Sequence, residues 1–147
     1  MKSEIKGLDN LNLKNELNKK IKGLNENKRL EMGFFENAKY QNGEYVANVA
    51  KWQEYGTIRI PARPFFRPAI DKNGNKWLNI FKSQVASNGS IDLSLNKVGE
   101  LSRGDLIKQI MQTNTPPNAE STVKIKGSSK PLIDTGFLRA SVSFKVV

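Results

Sequence analysis

Three prolines within eight residues, Pro61, Pro64 and Pro68, constrain this chain more than any other feature of its sequence. A proline disfavours helical geometry in the residue before it, so Ile60 and Arg63 are predicted to be extended. Pro68 has the fixed φ that suits the first turn of a helix, where its missing N–H has no helical partner anyway. The segment is therefore predicted to be a stiff loop that leads into a helix.

The sequence before this loop predicts one helix and one β-hairpin. Apolar residues at helical spacing, with lysines between them, predict a long N-terminal amphipathic helix over about residues 8–30. The turn sequence Gln41-Asn42-Gly43 then separates two strand-compatible runs, 34–40 and 44–50. Asn-Gly favours a tight hairpin because both central positions of its turn need a positive φ. Residues 50–55 allow one or two helical turns.

Two further helices are predicted after these turns. Gly56 is suited to end the first turns in a left-handed conformation. Pro68 is predicted to open a second helix, and Asn73-Gly74-Asn75 is expected to break or kink it. A turn over residues 87–90 separates it from a third helix, over about residues 95–111.

The last third of the chain predicts strands and a capped turn. Residues 121–126 are strand-like, and Asp134 is predicted to be the N-cap of a short turn over residues 135–139, which contains Gly136. Residues 141–147 alternate polar and apolar side chains, as a half-buried antiparallel strand does. The predicted fold class is α+β: a single domain of 147 residues with helices packed on an antiparallel sheet.

Composition excludes several functions and leaves one alternative open. The chain has no Cys and no His, so it lacks thiolate ligands and the commonest general base, and we expect no enzyme activity, cofactor or metal. It has no apolar run long enough to cross a membrane and no apolar signal region at its start. The net charge is +10, and fifteen of the 24 Lys and Arg residues follow residue 50. A basic nucleic-acid-binding domain is therefore the alternative from another functional class.

Three motifs, in order, resemble those of the neck and tail-completion proteins of long-tailed bacteriophages. The first comprises Val49, Ala50, Glu54, Tyr55, Gly56 and Thr57. The second is Arg63-Pro64-Phe65-Phe66-Arg67-Pro68. The third comprises Pro116-Pro117-Asn118, Thr122, Lys126-Gly127-Ser128, Leu132-Ile133-Asp134-Thr135-Gly136, Leu138, Arg139 and Ser141. Together they cover about residues 45–147.

The resemblance implies a structural virion protein that forms a ring at the head–tail junction, where it completes the tail and continues the DNA conduit. It implies a homo-oligomer, a hexamer in the family, that contacts neighbouring neck proteins and the tail terminator or tail tube. DNA would pass through the lumen without sequence-specific binding, and no membrane would be involved. The protein would be assembled in the cytoplasm of the host bacterium. A tail-terminator or head-closure ring of the same neck is the alternative within this class.

The candidate site residues fall into two groups. Because Arg and aromatic residues are enriched in protein interfaces, the candidates for subunit or partner contacts are Arg59, Arg63, Phe65, Phe66, Arg67 and Arg139. At least one of the two adjacent phenylalanines is expected to fill the core, and the arginines are expected to face other proteins rather than the lumen. The candidates for turn and cap positions are Gly56, Pro64, Pro68, Asp134 and Gly136.

Overall fold

A computed structural model describes residues 27–113 and 136–147, together with Asn15, Glu16 and Asn18. The described elements, in chain order, are β1 (Leu30–Gly33), α1 (Val46–Tyr55), α2 (Phe66–Asn88), α3 (Ile91–Gln112), α4 (Phe137–Ala140) and β2 (Ser143–Val146). The predicted α+β class is confirmed, because the helices accompany an antiparallel pair of strands in one domain.

The sheet joins the beginning of the described chain to its end. β1 and β2 pair antiparallel with Leu30 opposite Val146 and Met32 opposite Phe144. Beyond the strands, the backbone groups of Arg29 and Val147 exchange two hydrogen bonds, at 2.8 and 3.0 Å. The predicted C-terminal strand is therefore confirmed, with an exposed–half-buried alternation along Ser143–Val146.

The core lies between α1, the start of α2, α3 and α4. Its buried apolar side chains are Val46, Ala50, Phe65, Ala69, Leu106, Ile110, Leu138 and Val142. The sheet packs directly against α3 at Gly99, where a β-carbon would overlap the ring of Phe144. A glycine at this position lets the strand approach the helix backbone, so this contact fixes how closely the sheet packs.

The long helices α2 and α3 form a hairpin. The Nε1 of Trp77 on α2 donates to the carboxylate of Asp105 on α3 at 2.7 Å, and Lys76 forms an ion pair with the same carboxylate at 2.6 Å. Between the helices, Gly89 adopts the left-handed conformation, and the Oγ of Ser90 accepts the N–H of Leu93. The predicted turn is confirmed at Gly89 and Ser90, whereas Ser87 and Asn88 are the last two residues of α2.

Three sequence predictions in this part of the chain were wrong. The run 44–50 is not a strand, because Val46, Ala50 and Glu54 are buried at helical spacing on one face of α1. The run 34–40 contains only one isolated bridge, between Lys39 and Tyr45, around the predicted turn. Residues 73–75 do not interrupt α2, where the side-chain amide of Asn73 donates to the carbonyl of Ala69 within the helix.

Other predictions fall on or near residues that are not described. Asn15, Glu16 and Asn18 are helical, and the other residues of the predicted helix up to residue 26 lie outside the described residues. The predicted end of this helix was wrong, because residues 27–29 are not helical and Leu30 begins β1. The strand predicted over residues 121–126 and the cap predicted at Asp134 lie outside them as well. Among the described helices, none is both long enough and apolar enough to cross a membrane.

Candidate functional site

The candidate site is the loop that joins α1 to α2, residues 56–65, which we call the connecting loop. It begins at Gly56, whose φ of 75° and ψ of 173° belong to a region that is almost restricted to glycine. A β-carbon there would lie 2.8 Å from the backbone nitrogen of Ala62 and 2.9 Å from the carbonyl oxygen of Ile60. The two sides of the loop therefore touch at Gly56, and glycine is required for both conformation and space.

Thr57 organises the tip of the loop. Its backbone N–H donates to the carbonyl of Ile60 at 2.8 Å. Its Oγ1 accepts the backbone N–H of Arg59 at 3.2 Å and that of Ile60 at 3.0 Å. These three bonds close a small turn over residues 57–60, in which threonine plays the part that Ser and Thr commonly play in turns.

Glu54 fixes the base of the loop from the last turn of α1. Its carboxylate is 4% exposed and accepts the backbone N–H groups of Phe65 and Phe66, both at 2.8 Å, and of Arg67, at 3.1 Å. These N–H groups lie at the start of α2, where no preceding helical turn provides acceptors. A carboxylate from one helix therefore does the work of an N-cap for the next.

The charge of Glu54 is stabilised by the same contacts. Burial raises the pKa of its carboxyl group, but the backbone hydrogen bonds from Phe66, Phe65 and Arg67 and a side-chain bond from Arg67 lower it more, so the pKa lies below its ordinary value. The guanidinium Nε of Arg67 is 2.9 Å from Oε1, and this group also lies over the ring of Tyr55, 5.0 Å from its centroid.

Two of the predicted contact residues are covered by the chain itself. Phe65 is 1% exposed and packs edge-on against the ring of Phe34, with the centroids 6.1 Å apart. Arg63 is 7% exposed, and its backbone N–H donates to the carbonyl of Gln53 at 2.6 Å. We therefore correct the interface role expected of Phe65 and Arg63 to a structural one, while the expectation that one of the phenylalanines fills the core holds for Phe65.

The remaining predicted residues are divided between the surface and the supporting structure. Phe66 is half-buried against the core and begins α2, so Pro68 lies in the first turn of this helix but does not open it as predicted. Pro64 is half-buried in the connecting loop. Gly136 has a φ of 73° and takes the N-cap position of α4, where the guanidinium of Arg139 lies close to it.

Sequence reasoning missed the exposed apolar side chain at the tip of the connecting loop. Ile58, at the tip, is fully exposed, and Tyr55 beside the loop is 63% exposed. Arg59 is also exposed and forms no ion pair within the described part of the chain. The available signal was the pair of isoleucines, Ile58 and Ile60, in the short segment between Gly56 and Pro61.

The site holds no arrangement typical of a metal centre. Among residues 27–113 and 136–147, no group of three or more carboxylate side chains is placed to bind a metal ion. What the connecting loop offers is a rigid support for an exposed apolar residue and an adjacent cation. Comparison of this chain with protein-family models, with curated proteins and with solved structures gives no match.

Proposed function

We propose that this chain is a structural virion protein that assembles into a ring at the head–tail junction of a long-tailed bacteriophage, where it completes the tail. The resemblance of its three motifs to neck and tail-completion proteins supports this proposal. The first two motifs supply the residues that shape the connecting loop, among them Glu54, Gly56, Thr57 and Pro64. The chain thus uses these motifs to build one rigid projection.

The observation that carries the proposal is the exposure of Ile58 on a loop that is held at its tip by Thr57 and at its base by Glu54. An exposed isoleucine gives a monomer no packing energy, and ten residues are more than a helix–helix connection needs. A loop that is already ordered loses little conformational entropy when it binds, so its apolar tip contributes more of its burial energy to association. Association between subunits is the function that this geometry supports best.

In the proposed ring, a hexamer as the resemblance implies, the chain contacts its own copies. Its other partners are the neighbouring neck proteins and the tail terminator or tail tube. DNA passes through the lumen without sequence-specific contacts. Arg59, next to the exposed tip, belongs to a contact between subunits rather than to the lumen, because unpaired cations there would bind phosphates and hold the DNA. Tail-terminator and head-closure rings of the same neck are the alternatives.

The competing function, nucleic-acid binding, is favoured by the net charge of +10. It predicts an affinity for DNA that falls steeply with salt, because each neutralised phosphate releases counterions. In the described structure part of the positive charge is already engaged, since Lys28 pairs with Asp92, Lys76 with Asp105 and Lys145 with Glu31.

Light scattering coupled to size exclusion tests the proposal. We expect the wild-type chain to form a closed oligomer whose affinity for DNA is weak at 0.05 and 0.2 M salt, two concentrations chosen to expose counterion release. The Ile58→Ser variant should keep the circular dichroism spectrum and lose the oligomer. Leu78→Ser is the matched control, because Leu78 is 49% exposed on α2, away from the loop, and it should leave the oligomer intact. A chain that stays monomeric at every concentration and binds DNA with a steep salt dependence would contradict the proposal.

A further inference from the structure

A groove with an aromatic lining lies on a different surface from the tip of the connecting loop. Its lining includes Phe35, Phe137, Ala140 and Phe144, which come from the segment after β1, from α4 and from β2. The groove is open to solvent and has a volume of about 1030 Å³, which is room for several side chains rather than one. Ile58 and Arg59 contribute nothing to its lining.

The charges in the groove are unequally engaged. Glu31 is 2.9 Å from Nε of Arg29 and 3.3 Å from Nζ of Lys145, so this carboxylate already has two cationic partners. The ammonium group of Lys145 lies 4.7 Å from the ring centroid of Phe35. Glu36, by contrast, is exposed and forms no ion pair with any residue that the structure describes. The groove thus combines aromatic rings, set among polar groups, with one carboxylate available to a cationic partner.

We propose that this groove receives the connecting loop of a second copy of the chain, with Ile58 on the aromatic floor and Arg59 beside Glu36. This inference rests on the proposed function and names the two surfaces that build the ring. The loop presents an apolar side chain next to an unpaired cation, and the groove presents apolar rings next to an unpaired anion. The two surfaces are therefore complementary in both polarity and charge.

The arrangement also has the symmetry that a ring needs. Because the loop and the groove are different surfaces of one chain, their contact is heterologous: each copy gives its loop to one neighbour and its groove to the other. Such a contact generates a ring when the rotation between copies closes. A contact between two loops, or between two grooves, would stop at a dimer.

Disulfide trapping tests the contact directly, because the chain has no cysteine of its own. Cysteine keeps a small apolar side chain at the tip, unlike the polar serine of Ile58→Ser, so a cysteine at this position should still dock. In the double variant Ile58→Cys, Ala140→Cys, mild oxidation should link neighbouring copies into a ladder of covalent oligomers up to the size of the ring. An equimolar mixture of the two single variants should give covalent dimers between unlike partners. The control pairs Ile58→Cys with Ser83→Cys, an exposed position on α2, and should give no ladder.

Charge reversal gives an independent measurement of the same contact. Arg59→Glu and Glu36→Arg should each weaken assembly by about tenfold in the concentration at which half of the chains are assembled. The variant with both changes should recover most of that loss, because the opposite charges face each other again.

The outcomes separate this inference from the function on which it rests. If a ring assembles but gives no covalent ladder and no rescue by the double charge reversal, the docking of loop into groove is overturned. The groove would then be left to another occupant, such as residues 114–135 of the same chain. The proposed function would still stand. A wild-type chain that never assembles would overturn both.

Discussion

The connections after α1 and after α2 both lead the chain into a long helix, but they do so in different ways. The second needs only Gly89 and Ser90: the glycine reverses the chain, and the side chains of Asn88 and Ser90 satisfy nearby backbone N–H groups. The connecting loop, residues 56–65, instead depends on Glu54, which lies in the preceding helix and contacts residues eleven to thirteen positions away.

This difference distinguishes a connection that serves only the fold from a loop that is also available for the proposed contact with another subunit. A two-residue connection satisfies its own hydrogen bonds and exposes no large apolar group. The connecting loop is fixed by a buried carboxylate, a close backbone approach and a threonine turn, and its tip exposes a large apolar side chain. Such a loop is more elaborate than its place in the fold requires, which is the physical reason for assigning the interaction to it.

The largest effect is expected from removing the carboxylate at the base of the connecting loop. Glu54→Ala leaves the N–H groups of Phe65, Phe66 and Arg67 without their acceptor at the edge of the core, and should lower the free energy of unfolding by about 4 kcal/mol. Urea denaturation followed by circular dichroism measures it. Glu100→Ala, at an exposed position on α3, is the control and should change stability by less than about 0.5 kcal/mol. Equal effects of the two substitutions would show that Glu54 is not what holds the loop.

The substitutions Gly56→Ala and Gly89→Ala should lower the free energy of unfolding by different amounts, both smaller than the loss expected for Glu54→Ala. Gly56→Ala combines a conformation almost restricted to glycine with a backbone contact at 2.8 Å, and should cost about 3 kcal/mol. Gly89→Ala, at a φ of 67° in the left-handed region, should cost about 1 kcal/mol. The same denaturation experiment compares them. If Gly89→Ala proves as costly as Gly56→Ala, the short connection is as constrained as the long one, and the contrast between them disappears.

The smallest expected effect is a change in the free energy of unfolding at acidic pH. Because the pKa of Glu54 is lowered in the folded chain, its contribution to stability is complete above the ordinary value of 4.5 and is lost as the pH falls through the folded pKa. The difference in unfolding free energy between the wild type and Glu54→Gln should therefore shrink below pH 4.5. The loss is partial, since a protonated carboxyl group can still accept hydrogen bonds. Other acidic groups cancel in this difference, and a difference that stays constant from neutral to acidic pH would contradict the role of the charge.

Sequence patterns predicted the parts of this fold that depend on neighbouring residues. Gly89 and Ser90 are local end and start signals, and Pro68 does lie in the first turn of α2. The alternation in residues 141–147 reports a strand with one covered face, which the structure has. The predicted break at Gly74 failed because the intrinsic cost of one glycine is small, about 1 kcal/mol, beside the packing of a whole helix against α3.

The wrong predictions concern residues whose local structure depends on contacts with residues far away in the sequence. Tyr45, Val46 and Ala47 alternate like a strand, but Val46 also begins a helical series with Ala50 and Glu54, and tertiary burial selected the helix. The capping role of Glu54 left no local signal, because its carboxylate oxygens accept N–H groups that lie eleven to thirteen residues later in the chain. Phe65 and Arg63 were expected at an interface because composition alone cannot tell a buried aromatic or arginine from a surface one.

The turn at Thr57 has a consequence for how this protein can change over generations. The groups that shape it are backbone atoms and the threonine hydroxyl, so the side chains of Ile58 and Arg59 add nothing to the conformation that carries them. Mutations at these two positions are then almost neutral for folding, and selection acts on them only through the partner that the loop binds. Substitutions at these two positions could therefore change which protein the loop binds while the rest of the domain keeps its structure.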